Sequence, residues 1–289
     1  MIAFSAPLVR LAEVSPSTAA VFRCAYALPL LGLLAWLERL RHGPAEREDR
    51  RLALLAGFFF AADLTFWHHS IEAVGAGLAT VLANVQVVLV GLLAWAVLGE
   101  RPDRRSVLSV PLVLLGGVLI SGAVGAGAYG DDPVLGALFG LVTALAYALF
   151  LLVLRRAGGV GRRPAGPLFD ATLSASVFGL LGGLMVGDFD ALPGPESQVW
   201  LVTLALTSQV LGWLLISTAL PRVPALVTSI VLTIQPAGSV FLGVLIFSEA
   251  PSAFQLFGVA LILGGVVFAT APVRRAAPAS TAAVDVSPQ

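Results

Sequence analysis

Arg23 and Asp63 are ionisable side chains set inside long apolar runs, and charge at such depth marks a functional site by default. Asp63 stands about eight residues from the far end of its run, and Arg23 about six residues into the run before it. At about 1.5 Å per residue, both lie roughly 9–12 Å below the same surface. Equal depth on consecutive helices makes them candidates for an ion pair. One reading is a structural pair that neutralises itself; the other is an acid that exchanges a proton for a solute, with the arginine tuning it.

A second group is neutral. Gln86, Gln209 and Gln235 each fall near the middle of a long apolar run, and Trp213 follows one turn after Gln209 on the same face. An amide both donates and accepts, so these side chains could bind a polar solute, or simply tie helices together. Pro236 lacks a backbone donor and should free the Leu232 carbonyl beside Gln235. Asn84 is about 200° around an ideal helix from Gln86, so the two should not share one narrow cavity.

Around Asp63 lie Trp67, His68, His69 and Glu72. Trp67 is expected at a membrane interface or against the solute, and the histidines in a polar vestibule. No metal site is expected, because the one other histidine, His42, belongs to the opposite side. Glu100 and Glu249 end their helices, where an acid opposes the helix dipole. They read as structural or gating ion-pair partners, with Arg101, Arg104 and Arg105 as candidate partners of Glu100. Gly116, Gly117, Gly264 and Gly265 read as close-packing positions. The HExxH, GxSxG and GxxxxGK[ST] patterns do not occur, so zinc protease, serine hydrolase and ATP-driven pump readings lack support.

These residues need a membrane scaffold to hold them. Hydrophobic residues make up 58% and charged residues 12% of the 289, with a mean hydropathy of +0.94. Soluble domains run at about 45–50% and 25%. Apolar runs fall at about 17–37, 52–71, 76–98, 106–123, 134–154, 167–187, 198–219, 224–247 and 253–272. Each approaches the roughly 20 residues that cross a bilayer as a helix. A shorter piece, 1–12, gives at most about 20 Å of helix, which predicts that the chain starts late in helix 1. No basic segment precedes it, so no cleavable signal peptide of the usual form is expected. The fold expected is all-α and integral to the membrane, with ten transmembrane helices.

Every basic residue is arginine, and fifteen of the seventeen fall on one side of that topology. The positive-inside rule then puts both termini in the cytoplasm. The zero net charge without a basic stripe argues against nucleic acid. Cys24, the lone cysteine, excludes an intrachain disulfide. The expected partners are a small-molecule solute and membrane lipid, with room for a homodimer; no cofactor is expected. The tail at 273–289 reads as disordered and cytoplasmic.

Shifted by 149 residues, the chain aligns with itself: Gln86 falls on Gln235, Thr80 on Ser229, Glu100 on Glu249, Pro102 on Pro251 and Gly116 on Gly265. A unit of five helices is odd, so the second copy, 134–272, enters the membrane inverted relative to the first, 1–123. Such inverted repeats are an architecture of secondary transporters.

The run LLAWAVLGERP at Leu92–Pro102, and Pro16 followed by AAVFR ending at Arg23, resemble the EamA-type ten-helix branch of the drug/metabolite transporter superfamily. The second copy departs from that pattern, with Phe247-Ser248-Glu249-Ala250-Pro251 in place of Leu-Gly-Glu-Arg-Pro. The resemblance implies a cytoplasmic-membrane exporter of small metabolites or drugs, driven by an ion gradient or by exchange. Importers and exchangers share this topology. A non-transporting intramembrane enzyme or scaffold is the alternative of a different class.

Overall fold

The computed structural model describes residues 2–120, 133–158, 163–248 and 251–271. All their regular structure is helical. After a 3₁₀ turn come α1 (Ser5–Ala12), α2 (Pro16–His42), α3 (Arg47–Asn84), α4 (Gln86–Leu98), α5 (Arg104–Ile120), α6 (Pro133–Gly158) and α7 (Ala165–Val186). Then α8 (Pro195–Leu204) passes through a π-helical stretch, Ala205–Gly212, into α9 (Trp213–Ala219). α10 (Ala225–Leu232), α11 (Ile234–Phe247) and α12 (Ala253–Thr270) are the last described helices. Among the described residues, six helical stretches are long and apolar enough to cross a membrane, α2, α6, α7 and α12 among them.

The packing is that of a membrane protein. Large apolar side chains face outward, with Trp36 55%, Leu184 61% and Phe254 58% exposed, while Ala27, Ala53, Ala56 and Ser229 are fully buried. Lipid is as apolar as leucine, so burying leucine gains little there. Helices associate through small residues that allow close approach. Gly57 shows how close: a Cβ there would run into the Ala171 carbonyl oxygen.

Helix ends follow local chemistry. Ser15 caps α2, its Oγ accepting from Thr18 N–H at 3.3 Å, and Pro16 occupies the first turn. Arg39, Arg41 and His42 sit in the last turn, where the dipole favours cations. Asp103 receives the Ser106 N–H, and Ser252 receives the Gln255 N–H, capping α5 and α12.

One boundary differs from the sequence reading, which separates a run ending near 71 from one starting near 76. Helical backbone continues from Arg47 to Asn84, yet the chain turns back within it. Phe60 stacks on Phe150, Phe66 lies 5.8 Å from Phe139, and Ser70 Oγ donates to Gly136 O at 2.9 Å. Leu82 then meets Gly140, and Glu100 meets Arg155. A straight helix would carry Leu82 about 18 Å beyond Ser70, away from Gly140. The chain therefore descends α6 up to Ser70 and climbs it again from Leu82.

The 1–123 and 134–272 parts interleave instead of standing side by side. α2 packs on α7, α3 on both α6 and α7, and α5 on α12. Glu38 accepts from Ala165 N–H and Gly166 N–H at the start of α7, at 2.9–3.1 Å. In return Arg163 donates to the His42, Gly43 and Pro44 carbonyls that close α2. Arg50 of α3 pairs with Asp170 of α7 at 3.0 Å.

Candidate functional site

A cavity of about 480 Å³ lies among α1, α2, α3, α4, α6, α9 and the α10–α11 junction. That volume is within the roughly 300–1,000 Å³ typical of small-molecule sites. Arg23, Asp63, Trp67, Gln86, Trp213, Gln235 and Pro236 all line it. Residues more than 200 positions apart in sequence thus share one space.

Two short breaks shape the lining. α3 gives way to α4 at Val85, and α10 to α11 at Thr233, whose Oγ1 donates to the Ile230 carbonyl at 2.6 Å. Beside the second break, Leu232 reaches the lining. Proline at 236 announces a break near Gln235; nothing comparable announces the one at Val85. That break corrects the expectation for Asn84, which lines the cavity together with Gln86 because the intervening residue interrupts the helix.

Gln86 is 5% exposed, and its Oε1 accepts from Ser229 Oγ at 3.2 Å. Trp213, 3% exposed, packs 4.9 Å from Phe150 and 5.7 Å from Phe60. Together they make an aromatic wall. Arg23 lies over the Phe60 ring, 5.7 Å from its centroid, a cation–π contact. Among the described residues, no ion pair within 4 Å closes between Arg23 and Asp63. They share the cavity without the contact that equal depth suggests.

Gln209 does not join them. It is 1% exposed inside the π-helical stretch, and its Nε2 donates to Thr172 Oγ1 at 3.1 Å. Depth along an ideal helix points it inward, but the wider π turn and α7 absorb it as a helix–helix tie. Sequence reading passed over Tyr147, Thr143 and Phe60, which also line the cavity. Thr143 and Tyr147 are i, i+4 neighbours on one face of α6, a signal weak enough to vanish in an apolar run. The side chains of His68 and Glu72, like all of Glu249, lie outside the described residues.

Toward the arginine-rich end α4 and α10 come into contact. Gly91 of α4 takes the Leu226 side chain of α10 against its backbone, and a second cavity of about 90 Å³ lies beyond that contact. Glu100 then closes the seam: its Oε1 meets Arg155 Nη2 at 2.6 Å, and its Oε2 accepts from Arg155 Nη1 at 2.8 Å and from Ala225 N–H at 2.9 Å. Burial pushes the Glu100 carboxyl up, but these donors outweigh it and hold it below the usual glutamate range. The partner is Arg155 of α6 and not the adjacent Arg101, Arg104 or Arg105. Arg105 instead donates to the Ala271 carbonyl at 3.1 Å.

The EamA-like transporter family model matches residues 1–122 and again 134–271. The chain belongs to the EamA-like transporter family. It is 26% identical over 225 residues to an uncharacterized transporter of Archaeoglobus fulgidus, covering 77% of each chain. It is also 25% identical over 196 residues to the uncharacterized transporter YetK of Bacillus subtilis, covering 64% of this chain and 57% of that one. A protein of solved crystal structure has the same fold, with a TM-score of 0.73 over 93% of this chain and 92% of the other at 19% identity. This EamA-like chain is therefore a multi-pass membrane transporter, and its central cavity is the natural candidate for the transport site.

Proposed function

We propose that this protein is a secondary active transporter that exports a small organic metabolite or drug across the cytoplasmic membrane, with proton coupling or exchange as the driving force. The observation that carries the proposal is the cavity: residues of both matched segments meet around it, it approaches the arginine-poor end, and Glu100 latches the opposite end. In this reading the protein has ten transmembrane helices in two inverted five-helix repeats, with both termini cytoplasmic. Three exchanged features support the inversion. Gly116 packs on Ile262 while Gly265 packs on Val113, and both pairs are related by the 149-residue shift. The caps Asp103 and Ser252 are related in the same way, as are Gly99 and Ser248, which both adopt positive φ.

Alternating access needs two closures that are never open together. The Glu100 latch is one of them. Gln86, Gln235, Trp213 and Trp67 contact the solute, Asp63 carries the proton, and Arg23 faces it. Gln209 supports the wall through Thr172. Pro236 keeps the α10–α11 break, and Glu249 is the symmetry-related counterpart of Glu100 at the outer end. The test is flux in proteoliposomes under an imposed pH gradient. Asp63→Asn is expected to lose gradient-driven flux while keeping solute counterflow. Full gradient-driven flux in Asp63→Asn removes the coupling role. The direction of net flux in oriented vesicles separates exporter from importer.

A further inference from the structure

Among the described residues, the lining of the main cavity runs from Pro16, the first residue of α2, to Gln86 on α4 and Leu232 on α10. It takes nothing from α4 beyond Gln86 or from α10 before Leu232. α2 carries Arg39 and Arg41 in its last turn, so Pro16 marks the arginine-poor end. The cavity therefore reaches toward that end, while α4 meets α10 on the other side. Two contacts make the α4–α10 seam, and the 149-residue shift treats them differently. The first is apolar: Leu226 lies against Gly91, where a Cβ would stand 3.1 Å from its Cδ1. The shift carries Gly91 to Val240 and Leu226 to Gly77. Large and small partners change places, so the same kind of contact can be remade at the other end.

The second contact is polar. Arg155 meets both oxygens of Glu100, at 2.6 and 2.8 Å, and Glu100 Oε2 also accepts from Ala225 N–H at 2.9 Å. The side chains are 14% and 29% exposed, so this is no solvated surface pair. The shift carries Glu100 to Glu249, but Arg155 to Ala6 and Ala225 to Ala76. An alanine side chain donates nothing. Ala225 opens α10, where a helix leaves its amides unclaimed. Ala76 lies inside the helical backbone of α3, where the helix uses them. Of the two seam contacts, the ion pair is the one that the corresponding residues cannot copy.

We infer that the Glu100–Arg155 pair sets the resting direction of the cavity, toward the arginine-poor side, and that Arg155 makes the two closures unequal. In alternating access two conformers exchange, and their populations follow the difference between the contacts each makes. A two-sided arginine–carboxylate contact present in one closure and missing from its counterpart shifts that balance about tenfold or more. The inference rests on the transport reading of the cavity. It also narrows the part played by Glu249, which takes the place of Glu100 without its partner.

Ala83→Cys reports the direction, because Ala83 lines the main cavity in the last turn of α3 and the native Cys24 is buried. An impermeant thiol reagent is applied to the full chain in vesicles of either orientation, and the labelling rate is read from each side. Glu100→Gln should raise the rate from the arginine-rich side about tenfold and should not raise it from the other. Arg155→Met should do the same, the double variant should exceed neither, and Arg155→Lys, which keeps the charge, should do less. Glu249→Gln should leave both rates as they are. Fraying of the first turn of α10 would leave Ala83 behind Leu226 unlabelled, and a general loosening of the fold would raise both rates together. An unchanged rate from the arginine-rich side in Glu100→Gln, a rise on both sides, or a fall of equal size in Glu249→Gln overturns the inference. Uptake of an isotope-labelled small-metabolite extract into proteoliposomes separates the two ideas. Uptake by the wild type with labelling unmoved by Glu100→Gln sinks the directional latch and leaves the transport reading. The labelling shift with no uptake of any metabolite leaves the latch and sinks the transport reading.

Discussion

Glu100 shows how much one carboxylate can organise. It ends α4, where an acid meets an unfavourable dipole, yet Arg155 and the Ala225 N–H at the start of α10 convert that position into a three-helix junction. Its folded value lies below the ordinary one, so its stabilisation is present above the unfolded glutamate value, near 4.3. That stabilisation fades as pH falls through the lower folded value. Comparing wild type with Glu100→Gln in thermal unfolding, the difference should be constant from neutral pH to about the ordinary glutamate range and vanish in stronger acid. A double-mutant cycle with Arg155→Met should give a coupling of about 1–2 kcal/mol. That Glu100 belongs to an ion pair is legible from its place at a helix end. Its partner is not, because Arg155 is 55 residues away and local arginines are nearer in the chain.

At the scale of elements, the two copies of the α4 and α11 termini solve one problem with different residues. Gly99 closes α4 at φ +69°, in the left-handed region where glycine meets no Cβ clash. Ser248 closes α11 at φ +54° and carries a Cβ there. Such a conformation costs an L-residue roughly 1–2 kcal/mol. Ser248→Gly should therefore stabilise the protein by about 1 kcal/mol, read as a higher melting temperature in detergent. The reverse change, Gly99→Ser, should destabilise it by a similar amount. Runs of apolar residues predicted most helices closely, because length and hydropathy alone decide what crosses hydrocarbon. They could not predict the break at Val85 or the π-helical stretch around Gln209. No proline marks either of them, and the glycine at the end of the π-helical stretch, Gly212, is one of many in apolar runs.

On the scale of the whole molecule, the two parts of the chain hold each other. The reciprocal caps of Glu38 and Arg163, and the Arg50–Asp170 pair, tie α2 and α3 to α7 at the arginine-rich end. A transport cycle that separated the two parts would break all of these at once, so motion is better placed along the α4–α10 seam beside Glu100. The proposed orientation is checked by single-cysteine labelling, with buried Cys24 protected from bulky reagents. In intact cells an impermeant thiol reagent should modify Ala191→Cys in the α7–α8 loop. It should reach Arg41→Cys only after permeabilisation. The opposite pattern would reverse the topology.

By itself the sequence determined the medium and much of the plan: long uncharged runs dictate helices in lipid, arginine placement predicts orientation, and the 149-residue self-alignment predicts paired elements. It also picked out Arg23, Asp63, Gln86, Gln235 and Trp213, because polar or aromatic groups stand out against an apolar background. Tertiary structure decided which of these share a space. It withdrew Gln209 into a helix–helix contact, kept Arg23 and Asp63 in one cavity without an ion pair, and added Asn84, Thr143 and Tyr147. The physical reason is that helical periodicity sets a residue's depth and direction only while a helix stays regular. Here the site is built where helices break or widen.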